Sequence, residues 1–177
     1  DEPQTTGDDD SPIDADPETL LLTADQVETV DDREWSSEGP LGEGRDNRPF
    51  MHRGATVTRQ IDPDRLDDEI VTPMVLSGVW YHDSVDAART AYEEHPSYSS
   101  YAEEEGDVQV SIAVESMARI VDEPATSDFN GTWLFALFRD ANVVGAVSYR
   151  EEFRPDEEAL AGTGVELTVT MHEAWRE

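Results

Sequence analysis

His82, Asp83 and Ser84 stand consecutively in the chain and are the residue types of a hydrolytic triad. Such chemistry needs the three side chains to converge in space and an oxyanion hole beside them, and no Gly-x-Ser-x-Gly elbow supplies a strained nucleophile. Asp83-Ser84 directly precedes a helical pattern, so a helix cap accounts for both residues. A hydrolase using His82 and nearby acids is therefore the alternative reading rather than the leading one.

Five carboxylates, Asp62, Asp64, Asp67, Asp68 and Glu69, fall within eight positions. Calcium takes six to eight oxygen ligands, and an EF-hand loop needs a central Gly and a spaced Glu, neither of which is here. A solvated acidic loop is the better reading. His52, His82, His95 and His172 lie in separate elements without ligand spacing, and with no cysteine in the chain there is no thiolate for a metal or a nucleophile. No metal and no cofactor is expected. Asn130-Gly131-Thr132 matches the N-glycosylation sequon, although Asn-Gly is equally a turn. Trp80, Tyr92, Tyr98, Tyr101 and Trp133 could line an aromatic contact surface for a ligand or partner, with Tyr98 and Tyr101 in the most polar setting.

Composition narrows the setting. Among 177 residues, 42 are acidic and 12 basic, a formal net charge of -30, and every basic residue is Arg. Self-repulsion on this scale opposes compaction in dilute buffer. Near 1 M salt the Debye length is about 3 Å and the repulsion is screened. Carboxylates hold a hydrated surface, and absence of Lys removes exposed aliphatic stems that strong salt would drive together. The chain reads as haloadapted, from an extreme halophile. Binding of nucleic acid through a basic patch is not expected, because phosphates would meet charge of their own sign.

These residues need elements to position them. Residues 1–18, with Asp8-Asp9-Asp10, three prolines and few apolar side chains, read as a disordered acidic tail or linker, and 19–177 as one globular domain. Thr23 and Gln26 have capping-box spacing and predict a helix from Ala24 to about Val30. Residues 36–49 read as loop. Phe50 to Ile61 and Met74 to Tyr81 read as strands, and Val85, Ala88, Ala91 and Tyr92 give the next helix one apolar face, ended by His95-Pro96. Val108 to Ile112 alternates as a strand passing into a short helix, Val114 to Val121. Thr132 to Tyr149, the most apolar stretch, reads as an antiparallel hairpin turning at Arg139-Asp140-Ala141-Asn142. A helical turn begins at Pro155 and is interrupted at Gly162. Val165, Leu167, Val169 and Met171 alternate as in a strand, yet Leu167, Met171 and Trp175 are spaced by four behind a Thr163–Glu166 capping box, and helix is favoured. The fold expected is α+β: a mainly antiparallel sheet of about five strands, covered on one face by helices.

The order of these elements, with the entry helix and Trp35, the strand that runs from Val75 through an Asp-Ser cap to Tyr92, Val108 to Glu115, and the Phe138-Arg139-Asp140-Ala141-Asn142-Val143-Val144 turn, resembles a widespread group. These are the extracytoplasmic lipoprotein and sensor-type domains found beside actinobacterial receptor kinases and, in acidic form, among haloarchaeal lipoproteins. The resemblance implies export, a surface or membrane-tethered location and a ligand cleft between sheet and helices. It carries over no catalytic residue, and some relatives hold cysteine pairs that this chain lacks.

The expectation is thus a non-enzymatic extracytoplasmic domain of a haloarchaeal surface protein or lipoprotein, binding a small ligand or a protein partner. No apolar run approaches the ~18 residues of a membrane span, so membrane attachment would come only through a removed N-terminal anchor. Asp1 in place of an initiator Met fits a processed or trimmed chain. A cytoplasmic enzyme and a purely structural interaction module are the alternatives.

Overall fold

The computed structural model describes residues 11–41, 52–58, 74–95, 107–110, 112, 115–123, 131–150 and 156–176. Its centre is the expected hairpin. Strands β6 (Gly131–Asp140) and β7 (Val143–Arg150) pair antiparallel, with Trp133 opposite Arg150 and Asp140 opposite Val143, around the two-residue turn Ala141-Asn142. Ala141 has φ 47°, the left-handed region that a non-glycine residue enters only when its surroundings hold it there.

The other strands add to both sides of this pair. On one side come β3 (Met74–Tyr81), β2 (His52–Thr58) and β1 (Ser36–Leu41), and on the other β5 (Glu115–Glu123) and the two-residue β4 (Asp107–Val108). The order is β1-β2-β3-β7-β6-β5-β4, with every pairing antiparallel. The protein is α+β, one antiparallel sheet with helices packed on it.

Two expectations about strands change. Residues 36–41, assigned to loop because of Gly39 and Pro40, form β1, where a register irregularity between Ser37 and Pro40 accommodates a residue without an N–H at the sheet's edge. Of Val114 to Val121, expected as a helix, residues 115–121 belong to β5 and pair along their length with β6, while Val114 lies outside the described residues. The hidden period is two: Ser116, Ala118 and Ile120 fall on one face, Met117, Arg119 and Val121 on the other.

Among the described residues three α-helices accompany the sheet: α1 (Ala24–Val30), α2 (Val85–Glu93) and α3 (Glu157–Ala174). The Thr23–Gln26 capping box is present in full, with the Gln26 N–H donating to Thr23 Oγ1 at 3.3 Å and the Thr23 N–H to Gln26 Oε1 at 2.9 Å. In α3 the alternating valines yield to the four-residue spacing. One helix continues through Gly162, capped by Asp156, whose carboxylate accepts from the Ala159 N–H at 3.0 Å. Tertiary packing overrides a weak local propensity: Leu160, Leu167 and Met171 are buried on the sheet, and Gly164 lies so close to it that a Cβ would stand 2.3 Å from Leu134 Cδ2.

The helices cover more than the one face expected. α1 and α3 pack over the face carrying Val75, Val79, Leu134, Phe138 and Val147. α2 lies on the opposite face, where Ala88 and Tyr92 meet Leu137, Val144 and Ala146. Alternation along β6 and β7 decides which residue serves which side, so both faces of the central hairpin are apolar and its residues are buried almost without interruption.

The N-terminal segment is also built into the fold. Residues 1–10 of the expected tail lie outside the described residues, but 11–18 run against the domain, with Ile13 buried and a 3₁₀ turn, Pro17–Leu20, capped by Asp16.

Candidate functional site

Three buried polar side chains gather at the hairpin turn. Arg139, Asp140 and Asn142 are each no more than 6% exposed, although Arg-Asp-Ala-Asn reads in sequence as a solvated turn. Burial of such groups is tolerated only when each is satisfied. Arg139 Nε donates to Glu115 Oε2 of β5 at 2.6 Å, and its Nη1 donates to the Ala141 carbonyl at 2.9 Å. Arg176, just beyond α3, grips the Asp140 carboxylate through Nε, at 2.7 Å, and Nη2, and His172 Nε2 lies 2.9 Å from Asp140 Oδ2. Asn142 turns the other way: its Oδ1 accepts from the Ile13 N–H at 2.7 Å, and its Nδ2 donates to the carbonyls of Ile13 and His82 at 3.3 and 3.2 Å. The turn thus ties together β5, α3, the end of β3 and the N-terminal segment.

Electrostatics at the turn follow from this bonding. Burial alone would push the Asp140 carboxyl up, but hydrogen bonds from His172 and Arg176 and the Arg176 charge outweigh it and hold the carboxyl below its ordinary 3.8. A smaller lock of the same kind sits at the end of α1. Arg33 Nε donates to both oxygens of Asp31 at 2.8 and 2.9 Å, and Arg33 Nη2 donates to the buried Tyr149 hydroxyl at 3.0 Å. Burial raises the Asp31 carboxyl and Arg33 more than reverses it.

His82, Asp83 and Ser84 divide between other tasks. Ser84 is the cap of α2, its Oγ accepting from the Ala87 N–H at 3.1 Å, and Asp83 is exposed. His82 is 4% exposed. Burial lowers the affinity of its ring for a proton below the ordinary 6.5, and Asp83 only partly restores it. Among the described residues no group of three or more His, Cys, Asp or Glu side chains is placed to hold a metal ion.

The α2 side of the sheet collects the aromatic candidates. Trp80 and Trp133 both point to this face by the alternation of their strands, and Tyr92 joins it from α2. Tyr92 and Trp133 are largely packed, 6% and 9% exposed, because Tyr92 lies one turn from Ala88 on the inner face of α2 and Trp133 lies under the Arg150 guanidinium, 4.6 Å from its ring centroid. Trp80 is half-buried, and two residues that the sequence did not single out stand with it: His95 meets Trp80 edge-on at 5.2 Å and stacks on Phe135 at 6.4 Å. His95 follows the end of α2 and Phe135 is two residues from Trp133 on the same face, which was the available signal. Tyr98, Tyr101, Asn130 and the acidic group Asp62 to Glu69 lie outside the described residues. His52 lies in β2, opposite Trp80.

Set against known proteins, the chain matches no family model and no curated protein. No described helix is long and apolar enough to cross a membrane.

Proposed function

We propose that this chain is a non-enzymatic extracytoplasmic domain of a haloarchaeal surface protein or lipoprotein, similar to the sensor-type domains named above, and that it binds a small ligand or a partner chain on the α2 side of its sheet. The observation that carries the reading is the half-buried ring cluster of Trp80, His95 and Phe135, close to the Trp133–Arg150 pair. Aromatic rings offer large contact area at little entropic cost, and half-burial holds them rigid while leaving an edge for contact. The Lys-free acidic composition supports the halophilic setting.

The test is a thermal-shift and tryptophan-fluorescence screen of the domain in molar KCl against amino acids, sugars and organic acids. A ligand of this face raises the melting temperature of the wild type and fails to do so with Trp80→Ala. A ligand whose effect survives Trp80→Ala places recognition elsewhere and overturns this assignment. The location is tested separately by the gene: a start codon immediately before Asp1, without an export signal, overturns the extracytoplasmic reading.

A further inference from the structure

We propose that the ligand of the α2 side is a small aromatic carboxylate, its ring packed against Trp80, His95 and Phe135 and its carboxylate held by Arg150. The inference rests on the binding role proposed above and adds the chemical class.

Acids outnumber bases 42 to 12 in this chain, so an anion meets charge of its own sign over the molecule as a whole. The α2 side of the central strands departs from that average by register. Alternation puts Arg119 of β5, Arg139 of β6 and Arg150 of β7 on the face that carries Met117, Leu137 and Ala146.

The three arginines differ in what stands across from them. Arg139 is engaged by Glu115 Oε2 at 2.6 Å and by the Ala141 carbonyl at 2.9 Å. Arg119 has Asp107 of the short β4 opposite it. Arg150 has Met74 on one side and Trp133 on the other, neither of them charged. Of the three, it is the one whose cross-strand neighbours bring no carboxylate.

The Arg150 guanidinium lies over the Trp133 ring, 4.6 Å from its centroid. Stacking engages the flat face of a guanidinium and not its N–H donors, which project in the plane as a fork that matches a carboxylate. Trp133 therefore positions the fork without competing for it.

The ring group adjoins this cation. Trp133 and Phe135 lie two residues apart on one face of β6, an advance of about 7 Å, so Arg150 stands one row from Phe135. Beyond Phe135 come His95, stacked on it, and Trp80, edge-on to His95, all three half-buried. A single-ring acid reaches from these rings to Arg150. The rings supply contact area and the guanidinium selects the sign of the charge. Partial burial shields such a pair from salt better than full exposure would, which lets the selection persist in brine.

The experiment compares benzoate and phenylacetate with benzamide and phenylacetamide, neutral amides of the same shape, by tryptophan-fluorescence titration of the full chain at one fixed molar KCl concentration. The acids should bind the wild type about tenfold more tightly than the amides. Arg150→Gln should erase that preference and leave the affinity for the amides unchanged, whereas general damage to the fold would weaken acid and amide alike. Arg119→Gln should retain the preference. Amides bound as tightly as acids, a preference that survives Arg150→Gln, or no binding of either acid at millimolar concentration overturns the proposal. Should Arg150→Gln fail to fold, the Arg150 Nε–H resonance of the wild type decides: benzoate must shift it and benzamide must not. A neutral aromatic that binds through Trp80 with no contribution from Arg150 removes only the carboxylate class and leaves the α2-side role standing. Acids whose binding is unchanged by Trp80→Ala remove that role as well.

Discussion

Asn142 and Ile13, 129 positions apart in the chain, hold each other through one side-chain amide: the Asn142 carbonyl oxygen takes the Ile13 N–H and its NH₂ group gives to the Ile13 carbonyl. An amide side chain can satisfy a backbone N–H and C=O together, as a neighbouring strand would. A residue of the two-residue hairpin turn thus acts as a one-residue strand partner for the N-terminal segment.

Replacing Asn142 by Ala strands the buried N–H of Ile13 and the carbonyls of Ile13 and His82. An unsatisfied buried group costs about 1 to 3 kcal/mol, so Asn142→Ala should lose roughly 3 kcal/mol in denaturant unfolding in molar salt. A loss under about 0.5 kcal/mol would mean that water replaces the amide without penalty.

Two glycines of α3 should respond oppositely to the same change. Gly162 has nothing within 4 Å of a built Cβ, so Gly162→Ala should stabilise by roughly 0.5 to 1 kcal/mol through helix propensity. Gly164 faces Leu134, and Gly164→Ala should cost about 1 to 3 kcal/mol by overpacking. Melting temperatures of the two variants decide it: shifts of the same sign contradict the packing of α3 on β6.

Asp140 should make stability acid-sensitive. Its carboxyl is held below 3.8, so its contribution is fully present above that value and is lost as pH falls through the lowered value in the folded state. Asp140→Asn removes the buried carboxylate that Arg176 and His172 hold and should cost about 2 kcal/mol near neutrality. Below pH 3 the gap between variant and wild type should narrow, which unfolding curves at several pH values would reveal.

Salt should act on the whole chain. With a net charge of -30, raising KCl from 0.1 M to 3 M should raise the melting temperature, most steeply over the first molar. A melting temperature independent of KCl is the outcome that counts against haloadaptation.

Local signals in the sequence carried the capped helices and the hairpin. Thr23 and Gln26 sit three residues apart and bond reciprocally, Ser84 caps where an apolar helical face begins, and the β-branched and aromatic runs around residues 139–142 pair as expected. The burial of the turn was not legible. Arg139, Asp140 and Asn142 are polar, and their burial depends on Glu115, His172, Arg176 and Ile13, none of them a sequence neighbour. β1 was hidden by Gly39 and Pro40, and β5 by an Ala-Arg pair that suits a helix as well as a strand. On the α2 side Trp80, Tyr92 and Trp133 could be named from residue type, but the division between packed and half-buried rings depends on which face of its element each occupies. His95 becomes a neighbour of Phe135 only through the packing of α2.

The bond from Trp175 to the Leu20 carbonyl spans 155 positions, and β3 finds its second partner in β7, roughly 70 residues later. During synthesis the early strands therefore wait, one edge of β3 exposed, until the hairpin has emerged, and the entry segment waits longer still for α3. Closure of this domain therefore waits for α3, and such non-local pairing folds slowly. Until then the net charge of -30 opposes pairing of that exposed edge with a second chain of the same kind.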